Sequence, residues 1–122
     1  MLQKNKRNYN DSNIRNVQKT FTDGICSIYT ATERLITNLK GSFYFSNESI
    51  GYGHYWEAYN NNVSLDRAIS IPYCNLVFDT QDIVVIGNDK YTISRIQYHD
   101  DKRPFYWTLT LSKAQFSYEV SL

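Results

Sequence analysis

Few residues in this chain have the types and spacing that chemistry needs. His54 and Glu57 stand three apart in a stretch of helical character, so both could face one ion. A catalytic metal site draws on three protein ligands, and a single pair falls short of that. Cys26, His54, Cys74 and His99 add up to two Cys and two His, but they lie far apart, whereas structural zinc sites use close pairs. Asp100 and Asp101 are adjacent carboxylates in a tight turn beside Lys102 and Arg103. Adjacent side chains on extended backbone point apart, so they do not form a proton-sharing pair. They suit a self-compensated charged turn, or a polar contact at the rim of a partner surface. Gly51-Tyr52-Gly53 is too short for a phosphate-cradling loop and lacks the Lys-Ser/Thr partner; a nucleophile elbow and a zinc-protease helix are also missing. No two titratable groups have a spacing that demands proximity, so the sequence predicts no enzyme, no metal and no cofactor.

Aromatic residues stand out instead. There are 11 Tyr, 6 Phe and 2 Trp, 16% of the chain. Tyr covers apolar surface while keeping a wet hydroxyl, which suits strands and subunit interfaces. A stacking platform for single-stranded nucleic acid needs Lys or Arg interleaved with the rings. The strands between positions 67 and 112 carry rings but few cations, among them Arg67, Arg95 and Arg103. Two cysteines, Cys26 and Cys74, are too few for a disulfide framework and read as buried free thiols.

The elements that position these residues are mostly strands. Residues 1–22 read as a mobile polar, basic arm, with Asp11 or Ser12 able to cap a short helix carrying Ile14, Val17 and Phe21. Residues 23–122 form the single domain. Ile25 to Ala31 is a first strand. Arg34 to Lys40 is a second strand or an extended link, and Ser42 to Asn47, beyond Gly41, is another strand or its continuation. Gly51 and Gly53 interrupt the strands, and His54 to Tyr59 forms a short helix that must lean on a sheet, ended by Asn60-Asn61-Asn62. Ala68 to Tyr73 places Ile69, Ile71 and Tyr73 on one face, and Pro72 marks an edge or the strand's end. Asp82 to Ile86 and Tyr91 to Tyr98 make a hairpin about Gly87-Asn88-Asp89-Lys90. Phe105 to Ser112 is the last full strand, with Phe105, Trp107, Leu109 and Leu111 on one face, and Phe116, Tyr118 and Val120 continue the alternation. The expected fold is a small antiparallel β-barrel of five to six strands with one short helix.

At 122 residues and 42% hydrophobic content the chain is one domain's worth. Its apolar runs are far shorter than the ~20 residues of a membrane span, so no membrane partner is expected. The first residues lack the apolar region of a secretory signal, so the expected location is inside a cell or in something assembled there. Net charge is +1, unevenly divided: residues 1–40 carry seven Lys/Arg against three Asp/Glu, and residues 41–122 six against nine. Lys4, Lys6 and Arg7 in the basic arm are candidate contacts for nucleic acid or an acidic neighbour.

The order of pieces resembles a family. Ser49-Ile50-Gly51 precedes Tyr55-Trp56 and Ala58; Asp66-Arg67 leads to Ile69 and Ile71-Pro72; Thr80-Gln81-Asp82-Ile83-Val84, Ile86-Gly87, Tyr91 and Ile93 follow. Ile96-Gln97-Tyr98, Pro104, Leu109 and Leu111 complete it, over roughly 24–112. This is similar to the head–tail joining proteins of tailed bacteriophages, the stopper or head-closure proteins. The resemblance implies a small barrel with one helix, assembled as a ring beneath the portal and adaptor. Such a ring closes the channel on packaged double-stranded DNA and docks the tail terminator, without catalysis. It implies a virion neck location after assembly in the host cytoplasm. Carried onto this chain, residues 48–66 become the gating or contact element, with Tyr52, His54, Tyr55, Trp56, Tyr59, Asn60, Asn61 and Asn62 as partner or channel contacts. Asp100, Asp101, Lys102 and Arg103 join them as a contact turn. The arm is longer than the family pattern needs. A mildly acidic body suits a bore through which DNA must slide, since a basic one would bind phosphates. The alternatives are an adaptor or tail-terminator subunit of the same neck, and a small nucleic-acid-binding β-barrel. If Asn60-Asn61-Asn62 fills the bore, deleting it makes tailless heads leak DNA; unchanged DNA retention would refute that assignment.

Overall fold

The computed structural model describes residues 18–33, 35–50 and 65–114, with the backbone alone of 119–120. It contains β1 (Gly24–Thr32), β2 (Leu35–Glu48), β3 (Arg67–Pro72), β4 (Ile83–Ile86), β5 (Asp89–His99), β6 (Tyr106–Lys113) and β7 (Glu119–Val120). They form one seven-stranded sheet in the order β1-β4-β5-β6-β3-β2-β7, with a further pairing of β1 to β2. All pairings are antiparallel except β2 with β7.

The expected barrel of five to six strands with one helix is corrected here. The sheet has seven strands and branches at β2, which pairs with β1, β3 and β7. A simple antiparallel closure would give each strand two partners and no parallel pairing. No helix occurs among the described residues. The helix expected at 54–59 lies outside them, as does the start of the one expected from Asp11; its end is corrected, because residues 18–22, Phe21 among them, are not helical and Gln18 bridges Arg103. The cause of the branching is the length of β2. Its 14 residues run unbroken through Gly41, so what could have been two strands is one. Gly41 stays in the strand because the Phe43 ring lies over it; a Cβ there would sit 2.8 Å from Phe43 Cζ.

Elsewhere the local signals hold. Gly87, with φ of 61°, takes the first position of a two-residue turn that places Ile86 opposite Asp89. Positive φ at that position favours glycine and matches the right-handed twist of the hairpin. β3 ends at Pro72, as a residue without an N–H requires.

The main core gathers Cys26, Ile28, Phe45, Ile69, Ile71, Phe78, Val84, Tyr91, Ile93, Leu109 and Leu111. On β3 and β6, Ile69 sits opposite Leu109, and all of Ile69, Ile71, Leu109 and Leu111 are fully buried. Each such side chain contributes about 1.5–3 kcal/mol by leaving water. A smaller cluster of Ala31, Ile36 and Ile83 lies apart, against Tyr29 and Val85.

The connection from β3 to β4 is tied down by charge. Lys40 on β2 donates to an Asp82 carboxylate oxygen at 2.6 Å and to the Val77 carbonyl at 2.7 Å. Asp82 is 2% exposed and also accepts from the Asp79 N–H at 2.9 Å. Removing one partner of such a pair strands a charge in the interior. Lys40→Met is therefore expected to cost about 3–5 kcal/mol in urea denaturation; a loss under about 1 kcal/mol would show that Asp82 finds water instead.

Candidate functional site

Where β6 begins, alternation sends neighbouring side chains to opposite faces of the sheet. Phe105 and Trp107 go toward the core side, and Tyr106 goes to the other. Directly opposite residues share a face, so Trp107 meets Tyr98, and Tyr106 meets His99 and Pro72.

On the core side the rings form a continuous run. Phe43 contacts Phe78 at 6.2 Å, and Phe78 contacts Trp107 at 5.8 Å, both edge to face. Trp107 then meets Tyr73 at 6.0 Å and Tyr98 at 5.4 Å, and Tyr98 meets Phe105 at 6.1 Å. The run starts inside, with Phe78 buried, and ends in solvent, where Tyr73 is 49% and Tyr98 46% exposed. Ring pairs of this kind add about 0.5–1.5 kcal/mol each beyond their area, so the surface is held rigid. The Arg103 guanidinium lies 4.2 Å from the Phe105 centroid and closes one edge. Leu76 and Val77, also exposed, follow Tyr73 in the chain. Partial burial first, and then the Asp100 carboxylate, pushes the Tyr98 hydroxyl above its usual range. The Trp107 indole N–H is buried without a partner among the described residues.

The outer face at the same end is covered by residues 18–22. Gln18 bridges Arg103 in parallel, and the Lys19 N–H donates to the Arg103 carbonyl at 2.9 Å. Ser46 Oγ donates to the Thr20 carbonyl at 2.8 Å and accepts from the Thr22 N–H at 3.1 Å. The Lys19 ammonium pairs with Glu48 and lies 4.8 Å from the Tyr106 ring centroid. Glu48 accepts from Ser70 Oγ at 2.7 Å. Tyr106 stacks on His99 at 4.6 Å and its hydroxyl donates to Asp101 at 3.3 Å. Burial, and then the Asp101 and Glu48 charges, push the Tyr106 hydroxyl up.

The contact turn expected from the sequence thus divides its work. Asp100 influences Tyr98, Asp101 holds Tyr106, Arg103 covers Phe105, and the Lys102 charge acts on Glu48. The adjacent carboxylates serve different neighbours. Tyr52, His54, Tyr55, Trp56, Tyr59, Asn60, Asn61 and Asn62 lie outside the described residues, as do Lys4, Lys6 and Arg7. Tyr73, Tyr98, Phe105 and Trp107 were not singled out by sequence reasoning as one surface. The available signal was rings on both sides of the 99–104 turn, but their exposure depends on what covers them.

A second apolar surface lies on β1 and β2. Ile25 and Tyr44 sit directly opposite each other and are 55% and 64% exposed. Leu39, opposite Tyr29, is 50% exposed.

The thiols are quiet. Burial pushes the Cys26 thiol up to about 11 and raises that of the half-buried Cys74. No group of three or more His, Cys, Asp or Glu able to hold a metal ion occurs among the described residues. Arg67, a cation expected on the strands, bonds Asn47 at 2.7 Å and lies over the rings of Phe45 and Tyr91. No protein-family model matches the chain, and no curated protein matches it.

Burial alone would raise the Glu48 carboxyl, but hydrogen bonds from Lys19 and Ser70 and the charges of Lys19 and Lys102 outweigh it, leaving it below its ordinary 4.5. A carboxyl lowered on folding stabilises the fold above the unfolded value, and that contribution fades as pH falls through the folded one. Wild type should therefore lose stability more steeply than Glu48→Gln as pH drops below 4.5, in urea denaturation at stepped pH. Equal slopes would mean Glu48 is not held by Lys19 in solution.

Proposed function

We propose that the protein is a structural interaction subunit of the head–tail stopper kind. In this reading it assembles with copies of itself as a ring in a tailed-phage neck, closes the channel on packaged DNA, and contacts portal or adaptor and tail terminator. The resemblance in the order of sequence motifs suggests the class. The observation that carries the reading is the aromatic run ending in exposed Tyr73 and Tyr98. Rigid, amphipathic Tyr and Trp surfaces flanked by Arg are where protein interfaces concentrate their energy.

Two further features support it. A ring contact is heterologous, so each subunit needs two different surfaces; the Ile25–Tyr44 pair is a second one, with Tyr44 on the opposite face of β2 from Phe43. The charges around the rings also favour a protein partner over a nucleic-acid strand. The 100–103 turn beside the rings is charge-balanced, with Asp100 and Arg103 acting on Tyr98 in opposite directions, whereas a strand of nucleic acid needs cations interleaved with the rings. The role is non-catalytic in this reading.

The test is co-sedimentation of the purified chain with DNA-filled, tailless heads that lack it, with a salt-dependent single-stranded DNA titration as control. Stoichiometric binding to heads with DNA retained is expected. Tyr73→Ala/Tyr98→Ala, folded by circular dichroism, should bind at least ~30-fold more weakly, as hot-spot tyrosines do. Absent head binding together with tight, salt-sensitive binding to single strands would overturn the reading in favour of a nucleic-acid module.

A further inference from the structure

We infer that residues 18–22 act as a strap that sets the state of the aromatic surface, so that displacing the strap on one face of the sheet loosens the interface on the other. This rests on the reading of that surface as a partner interface.

The connection is short and passes through named atoms. The Lys19 N–H holds the Arg103 carbonyl, and the Arg103 guanidinium covers Phe105, which packs on Tyr98. The Lys19 ammonium meanwhile caps the Tyr106 ring, and Tyr106 holds Asp101 through its hydroxyl. One lysine therefore secures both flanks of the 100–104 turn, by its backbone at Arg103 and by its side chain through Tyr106. Tyr106 lies between Phe105 and Trp107 in the chain, so a shift of the strand start moves both rings of the interface.

The strap is built to be released more easily than the core. Among the described residues its hold consists of hydrogen bonds at Ser46 and Arg103, the Lys19–Glu48 pair, the Lys19 ammonium over Tyr106 and one half-buried ring, Phe21. The bonds at Ser46 are exposed to water, and segments with few buried apolar contacts open at the low end of local stability. The strap is also preceded by residues 1–17, which carry Lys4, Lys6 and Arg7.

Backbone amides report both ends of the coupling in the full-length chain. The Lys19 amide reads the strap, the Tyr73 amide reads the interface through its bond to the Phe105 carbonyl at 2.9 Å, and the Ala114 amide, bonded to the Lys90 carbonyl at 2.9 Å at the other end of the β5–β6 pair, serves as remote reference. In Lys19→Met/Ser46→Ala, exchange at Tyr73 should quicken at least ~10-fold while Ala114 stays within ~2-fold, as a local opening requires. Head binding should weaken with it. Faster exchange at the strap with Tyr73 unchanged would overturn the coupling. If the variant does not fold, the wild type decides in low denaturant: Lys19 and Tyr73 must exchange in one opening step that Ala114 does not share, and separate steps would overturn the inference. Tyr73→Ala/Tyr98→Ala binding heads like wild type, with the coupling intact, would remove the interface reading alone.

Discussion

β3 must be covered on both faces, and the rest of the structure follows from how that is met. Ala68, Ile69, Ser70 and Ile71 are all buried in the middle of the sheet. Ile69 and Ile71 face the apolar core, where Leu109 and Leu111 from β6 meet them. Ser70 faces the other way, and a hydroxyl out of water needs a partner. It donates to Glu48, and Glu48 in turn needs a cation, which arrives as Lys19. The polar side of β3 thus recruits residues 18–22 onto the sheet, by a chain of requirements beginning with one serine.

The same end of the sheet shows how alternation distributes roles. Phe105, Tyr106 and Trp107 are consecutive, yet Tyr106 belongs to the covered outer face while its neighbours belong to the ring surface. Rings deep in the run pack the core, and rings at its end meet solvent. Phe43 and Phe78 provide the stiff base on which Trp107, Tyr73 and Tyr98 stand. Lys40 and Asp82 hold the connection that carries Phe78, so an ion pair on one side of the core supports an aromatic surface on another.

Much of the strand content was legible. The alternation at 25–31, the Gly87 turn, the stop at Pro72 and the two faces of 105–111 each rest on local rules of backbone geometry. Gly41 was ambiguous, because glycine breaks a strand in water but completes one when a ring such as Phe43 lies over it. Architecture was read wrongly for that reason: two short strands suit a small closed barrel, whereas one long β2 takes three partners and branches the sheet. The charged turn at 100–103 was visible as a candidate, but its division of labour was not. Asp101 and Arg103 find Tyr106 and Phe105 only after β5 and β6 are in register.

The sequence by itself determined that the chain is rich in rings and where most of its strands lie, turn at Gly87 and stop at Pro72. These follow from φ/ψ preferences, period-two alternation and residue spacing, which are local. Tertiary structure alone decided which tyrosines are core and which are surface, that Lys40 meets Asp82 and Lys19 meets Glu48, and that the rings join into one run. The pairs stand 42 and 29 positions apart in the chain. Contacts at such separation depend on the registers of several strands at once, and no local pattern encodes them.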